Sequence, residues 1–161
     1  MSLSQIPVAA VLGHPISHSK SPSLHNFWLS KFGVKGYYIP LDIDPRNFEK
    51  HIRSLPKLGF VGANVTIPYK EKILKVADKI SDRAAIIGAA NTLTFLSDGK
   101  IYADNTDGYG FMQNIKSQYK DWSAKDGMTV VFGAGGASRA ILGALIEDGA
   151  KDIVLSNRTR S

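Results

Sequence analysis

The 161-residue sequence contains no cysteine. Disulfides, a thiolate nucleophile and a cysteine-built zinc site are excluded, and the absence fits a cytoplasmic protein. No uninterrupted apolar run is long enough to span a bilayer, so no membrane partner is expected. Basic residues are missing from the start: Lys20 is the first Lys or Arg, and His14-Pro15 interrupts the first apolar stretch. No signal peptide is expected from such a beginning. Histidine is sparse, with four in all. His14 and His18 have i, i+4 spacing, but Pro15 between them disfavours the helix that would make them a metal pair, and no metal site is expected. The formal net charge is +6. Lys and Arg are dispersed, with no basic helix interleaved with aromatics, which argues against nucleic acid and for anionic small molecules.

What is present is most informative at Gly133-Ala134-Gly135-Gly136-Ala137-Ser138-Arg139-Ala140. The apolar run Met128 to Phe132 precedes it and Ile141 to Ile146 follows. That order predicts a strand, a glycine turn and a helix. Such a turn lets backbone N–H groups approach a pyrophosphate, and the helix N-terminus adds positive potential. Ser138 stands in place of the third glycine of the usual fingerprint. After a second apolar run, Asp152 to Leu155, comes Ser156-Asn157-Arg158-Thr159-Arg160. An NAD site usually carries Asp or Glu here; Asn and Arg suit a 2′-phosphate. The motif predicts a dinucleotide, and the strand after it predicts NADP.

The rest of the chain alternates strands and helices. Strands are expected at Ile6–Leu12, Tyr37–Leu41, Phe60–Val65, Thr92–Leu96 and near Ile101. Ser21 is expected to cap a helix with Pro22 at its first position, running to about Phe32, with Leu24, Phe27, Trp28 and Leu29 on its apolar side. Asp44 caps a second helix bearing Phe48, Ile52 and Leu55. Pro68 is expected to open a third, placing Lys70 in its first turn. A short helix follows at Ser81–Ile87, and another from Asp107, as N-cap, to about Tyr119. This pattern predicts an α/β fold in two units, with a mainly parallel sheet and a ligand cleft between them. A full dinucleotide fold needs about six strands. The second unit here has two, so a nucleotide domain that is open-ended as written is expected, together with self-association through its unpaired edge.

Four polar clusters fall at loop positions: Gly13 to Pro22, Asn64 to Lys70, Gly88 to Thr92, and Asn105 to Gly108. Ligands gather at the C-terminal strand ends of open α/β sheets. The hydroxyls, carboxamides, ammonium and carboxylate in these clusters suit a small polyhydroxylated acid. Taken singly, Ser17, Ser19 and Ser21 are also ordinary turn formers, Asn64 and Asn91 ordinary partners of backbone groups, and Asp107 an ordinary helix cap.

The clusters and the glycine turn, in this order, resemble the shikimate dehydrogenase family along essentially the whole chain. Gly13 to Asn26 looks like that family's carboxylate-binding motif, and Asn64 to Lys70 like its Asn-Val-Thr-x-Pro-x-Lys motif. Asn91-Thr92 and Asn105-Thr106-Asp107 match the next two. The resemblance implies NADPH-dependent reduction of 3-dehydroshikimate to shikimate, on the route to chorismate and the aromatic amino acids. It implies that Ser17 and Ser19 bind the substrate carboxylate with Thr66 nearby. Asn64, Lys70, Asn91 and Asp107 would bind ring hydroxyls, Lys70 and Asp107 being the catalytic pair. Gly133, Ala134, Gly135, Gly136 and Ala137 would form the turn of a Rossmann-like NADP(H) site, with Asn157, Arg158 and Thr159 as its phosphate clasp. Residues 1–104 would be the substrate-binding domain, and 105–161 a linker helix and the N-terminal part of the nucleotide domain. Family members are longer, and a homodimer is a possible assembly. Two alternatives share the scaffold: a quinate/shikimate dehydrogenase, often NAD-dependent, and a non-catalytic ligand-binding module, which would be expected to lose the lysine–aspartate pair.

Overall fold

The computed structural model describes residues 6–158. The elements are β1 (Val8–Gly13), α1 (Ser21–Lys31), β2 (Tyr37–Asp42), α2 (Phe48–Ser54), β3 (Phe60–Val65), β4 (Lys79–Ile80) and α3 (Asp82–Ile87). They continue with β5 (Thr92–Phe95), β6 (Ile101–Asp104), α4 (Asp107–Gln118), β7 (Thr129–Phe132), α5 (Gly136–Glu147) and β8 (Ile153–Ser156). Six strands form one sheet in the order β2-β1-β3-β5-β6-β4, and β7 and β8 form a separate parallel pair. The large sheet is mixed: β5 runs antiparallel to both its neighbours, β3 and β6, and the other pairings are parallel. No helix among the described residues is long and apolar enough to cross a membrane.

Alternation along strands gives the sheet two unlike faces. Ile39, Ala10, Ala63, Leu93 and Ala103 sit side by side in register, beside the row Leu41, Leu12 and Val65. This apolar face is the main core, covered by Phe48 and Ile52 of α2, an i, i+4 pair, and by Tyr69 and Ile73. The opposite face carries Asn64, Thr92 and Asp104 in one row. There α1 covers only the β1–β2 end, through Leu29 packed on Val11 and Tyr38.

Several local expectations give way to tertiary bonding. Pro68 does not open an α-helix. Lys70 lies in a turn, because its carbonyl accepts the Ala90 N–H at 2.7 Å and is unavailable to the next turn of a helix. Only a short 3₁₀ segment, Lys72–Lys75, follows. Ser21 is the first helical residue of α1, not its cap: Lys20 holds the cap position, and the Ser21 N–H goes to the Ser19 hydroxyl at 3.3 Å. Leu24, Phe27 and Trp28 are exposed, so the expected apolar side of α1 is not buried beyond Leu29. Asp44 caps a 3₁₀ turn at Pro45–Asn47, which then runs into α2. Thr106, not Asp107, occupies the cap position of α4. Strand β4, two residues long, carries no sequence signal of its own.

Helices α4 and α5 cross closely. A β-carbon at Gly108 would lie 2.7 Å from the Ala140 carbonyl oxygen and 3.0 Å from the Ala144 methyl. Met112, Ala124 and Leu145 fill the seam beyond, with Phe111 and Ile141 packed against them. The β7–α5–β8 segment is the start of a Rossmann-like unit, held by this seam against the helix that leaves the large sheet.

Candidate active site

Topology brings the polar clusters together. β1 and β3 are parallel neighbours, so the loops leaving Gly13 and Val65 exit on one side of the sheet. The His14 N–H to Ile67 carbonyl bond, 3.2 Å, ties those loops to each other. β5 is reversed, so its beginning, not its end, lies at this edge, with Thr92 opposite Asn64. Asp104, at the end of β6, pairs with Thr92 and delivers Asn105 to Asp107 to the same place.

The Lys70 Nζ donates to Asp107 Oδ2 at 2.5 Å, with side-chain exposures of only 16% and 24%. The other carboxylate oxygen accepts from Asn91 Nδ2 at 2.7 Å. Asn91 Oδ1 in turn accepts the Thr106 N–H at 3.0 Å and the Thr92 hydroxyl at 2.8 Å. Each partner is fixed from behind. Tyr69, next to Lys70, is buried against the Phe48 ring and its hydroxyl donates to the Ile43 carbonyl. Asn105, also buried, donates to the Ala89 carbonyl at 2.8 Å and accepts the Asp107 N–H at 3.0 Å. Asp104 accepts from the Ser81 hydroxyl at 2.6 Å and is bridged by Arg83. The guanidinium holds that carboxyl well below the usual carboxylate range, and the Ser81 and Asn105 bonds add to the effect.

Asn64 is oriented by its surroundings. Its Nδ2 faces the Asn91 carbonyl at 3.3 Å, which only a donor can do, so Oδ1 must face Tyr38. The Tyr38 hydroxyl donates to that oxygen at 2.7 Å, and burial pushes the phenol up to about 12. Ser19 is half-buried in the loop after β1 and Ser17 is exposed there, while the Thr66 methyl packs near Gly13 in the adjoining loop.

Nearby lies the glycine turn. Gly133 has φ +103°, a conformation that requires glycine, and its N–H bonds the Ser156 carbonyl at 2.7 Å. At Gly135 a β-carbon would meet nothing within 4 Å. No side chain caps α5 and no acidic residue stands in its first turn. Ala134 lies in the turn, and Ala137 is the second residue of α5. Asn157 and Arg158 follow β8, whose Ser156 pairs with Phe132 at the end of β7, so both lie at the turn's end of the strand pair. Thr159 lies outside the described residues. Open space at Gly135, an uncapped helix start and a cationic side chain fit a dinucleotide phosphate.

The structure therefore gathers Lys70, Asp107, Asn64 and Asn91 into one bonded network. Ser17, Ser19 and Thr66 lie on loops at the same sheet edge. Sequence reasoning missed Tyr38, Tyr69 and Asn105 as supports. Tyr38 reads as ordinary core or cleft wall, whereas Tyr69 and Asn105 each had a signal in their place within a polar cluster.

A six-stranded mixed α/β sheet with a lysine–carboxylate pair at its edge, leading into a glycine-turn βαβ unit, defines a substrate-binding fold joined to the start of a dinucleotide-binding one. The family model described as the shikimate dehydrogenase substrate binding domain matches residues 11–93, more than half of the chain. The chain belongs to the shikimate dehydrogenase family. It is 55% identical over 161 residues to the shikimate dehydrogenase (NADP(+)) of Roseobacter denitrificans, spanning 58% of that relative's length. The crystal structure of shikimate dehydrogenase from Aquifex aeolicus superposes with a TM-score of 0.89 at 39% identity, covering 99% of this chain and 58% of that one. The Thermus thermophilus shikimate 5-dehydrogenase in complex with NADP(H) and shikimate gives 0.86 at 37% identity, covering 96% and 57%.

Proposed function

We propose that this chain is the substrate-binding part, and the beginning of the nucleotide-binding part, of an NADP-dependent shikimate dehydrogenase that interconverts 3-dehydroshikimate and shikimate. The observation that carries the proposal is the half-buried Lys70–Asp107 pair, 2.5 Å apart, braced by Asn91. We divide the chain into a substrate domain at 1–104 and a linker helix with nucleotide segment at 105–161.

In this reading Ser17, Ser19 and Thr66 hold the substrate carboxylate, and Asn64 and Asn91 hold ring hydroxyls. Gly133 to Ala137, with Asn157, Arg158 and Thr159, hold NADP(H). Bound NADPH supplies the hydride for carbonyl reduction. Lys70 stabilises negative charge developing on the carbonyl oxygen and delivers a proton to that oxygen. Asp107 aims the ammonium and accepts from a neighbouring hydroxyl. A cytoplasmic location, no nucleic-acid partner and a homodimeric assembly belong to the same reading. The cysteine-free composition and dispersed cations support the first two.

The test is calorimetric titration of the chain with shikimate, with quinate as control, followed by an assay of NADPH formation from shikimate and NADP⁺. Preferential shikimate binding is expected. Equal or better binding of quinate would support the quinate alternative. Binding without turnover in a chain extended to the length of its relatives would support the non-catalytic one.

A further inference from the structure

We infer that Gly136 is a positioning residue for Lys70, so that the turn assigned to the nucleotide also aims the ammonium of the substrate site. This rests on the reading of Lys70 and Asp107 as the reacting pair. A β-carbon at Gly136 would lie 3.1 Å from Lys70 Cβ, 3.6 Å from Lys70 Cδ and 3.3 Å from Ala89 Cβ. The stem of Lys70 thus occupies the space that any other residue at 136 would need. The backbone does not demand glycine there, since Gly136 is the first helical residue of α5 and is not among the positive-φ glycines. It differs from Gly133, which is required for its φ, and from Gly135, which faces open space.

None of the neighbours can retreat freely. Lys70 Cβ is fixed by its own backbone, between buried Tyr69 and the 2.7 Å bond from Ala90 N–H to the Lys70 carbonyl. Ala89 is fully buried, with its carbonyl held by Asn105 at 2.8 Å. Helix α5 is held by the Gly108 crossing and by Arg139, 3.4 Å from Glu71 beside Lys70. A methyl at 136 must shift the lysine stem or the helix by a few tenths of an ångström. Either movement changes how Nζ meets Asp107 Oδ2.

The test uses Gly136→Ala with no nucleotide present. Gly143→Ala is the control: it lies on the same helix, where a methyl would meet Ile87 Cγ1 at an ordinary 3.7 Å. One readout is the rate of Lys70 acylation by acetic anhydride, measured by mass spectrometry relative to the exposed Lys57 and Lys151. The other is shikimate affinity. Gly136→Ala is expected to raise the relative acylation of Lys70 by about threefold or more and to weaken shikimate by about three- to tenfold, sub-ångström misplacement being costly at such sites. Gly143→Ala is expected to change neither. Gly136→Ser repeats the test with a residue favoured at helix starts. Relative acylation that stays at the wild-type level in both Gly136 variants overturns the inference, because a purely nucleotide-cradling glycine would leave Lys70 untouched. An equal rise with Gly143→Ala also overturns it, as general loosening of α5. If Lys70 acylation responds as expected but the unaltered chain does not bind shikimate, the positioning role stands and the functional reading fails.

Discussion

The α4–α5 crossing sets how far Asp107 stands from the glycine turn, and it can be tested with two glycines on one helix. At Gly108 an added methyl would stand 2.7 Å from the Ala140 carbonyl oxygen and 3.0 Å from the Ala144 methyl. Carbon contacts are most favourable at about 3.5–4.0 Å, so the helices must part by roughly 0.5–1 Å. Overpacking of this kind costs about 1–3 kcal/mol. The gain from replacing a helical glycine, at most about 0.5–1 kcal/mol, is smaller in the first turn, where Gly108 lies. A net loss of about 1–2 kcal/mol is expected, equivalent to a fall in Tm of about 2–8 °C for a chain of this size. At Gly110 a methyl meets nothing within 4 Å. Gly110→Ala should therefore raise Tm by about 1–4 °C. Thermal unfolding followed by far-UV circular dichroism, at equal protein concentration, measures both. A Gly108→Ala protein melting at or above the unaltered one would refute the close crossing and the geometry built on it.

Lys70→Met is expected to weaken shikimate by about tenfold or more, the worth of one charge-assisted hydrogen bond, in the same titration. Asn105→Ala strands the Ala89 carbonyl and the Asp107 N–H, and should cost about 2–4 kcal/mol in urea unfolding. The Tyr38 phenol is raised from 10.0 to about 12 on folding, so its contribution is whole below pH 10 and is lost as the pH climbs toward 12. That limb is worth about 3 kcal/mol, and Tyr38→Phe should flatten it. Asp104 behaves oppositely: its folded pKa is depressed, so its contribution is present above the unfolded value of 3.8 and is lost as acid takes the pH below it. Asp104→Asn should therefore be destabilised at neutral pH, and the difference should shrink under acid conditions.

Most strands were legible because their alternation matches a buried sheet, as in Phe60–Val65, whose bounds agree with the expectation. The two-residue β4 was not, being too short to show a period. The failures cluster where a distant backbone group outbids a local preference. Pro68 followed by Tyr-Lys-Glu looks like a helix start until Ala90 takes the Lys70 carbonyl. Asp107 looks like a cap until its carboxylate is claimed by Lys70 and Asn91. The site's residue types were legible in order along the chain. The support from Tyr38 was not, because it reaches Asn64 across the intervening strand β1 and only the register places them within a hydrogen bond.

The bond from Ala90 to the Lys70 carbonyl closes a circuit. From Lys70 the path runs through its ammonium to Asp107, across the carboxylate to the Asn91 amide, along one peptide unit to Ala90, and back to Lys70. In such a loop no single link opens without loading the others. The Ala90 amide proton is therefore a reporter: its exchange with solvent should slow when an anion settles against the lysine and quicken when either charge is removed. Assembly of the pair could then be followed at one backbone position, without cofactor, turnover or label.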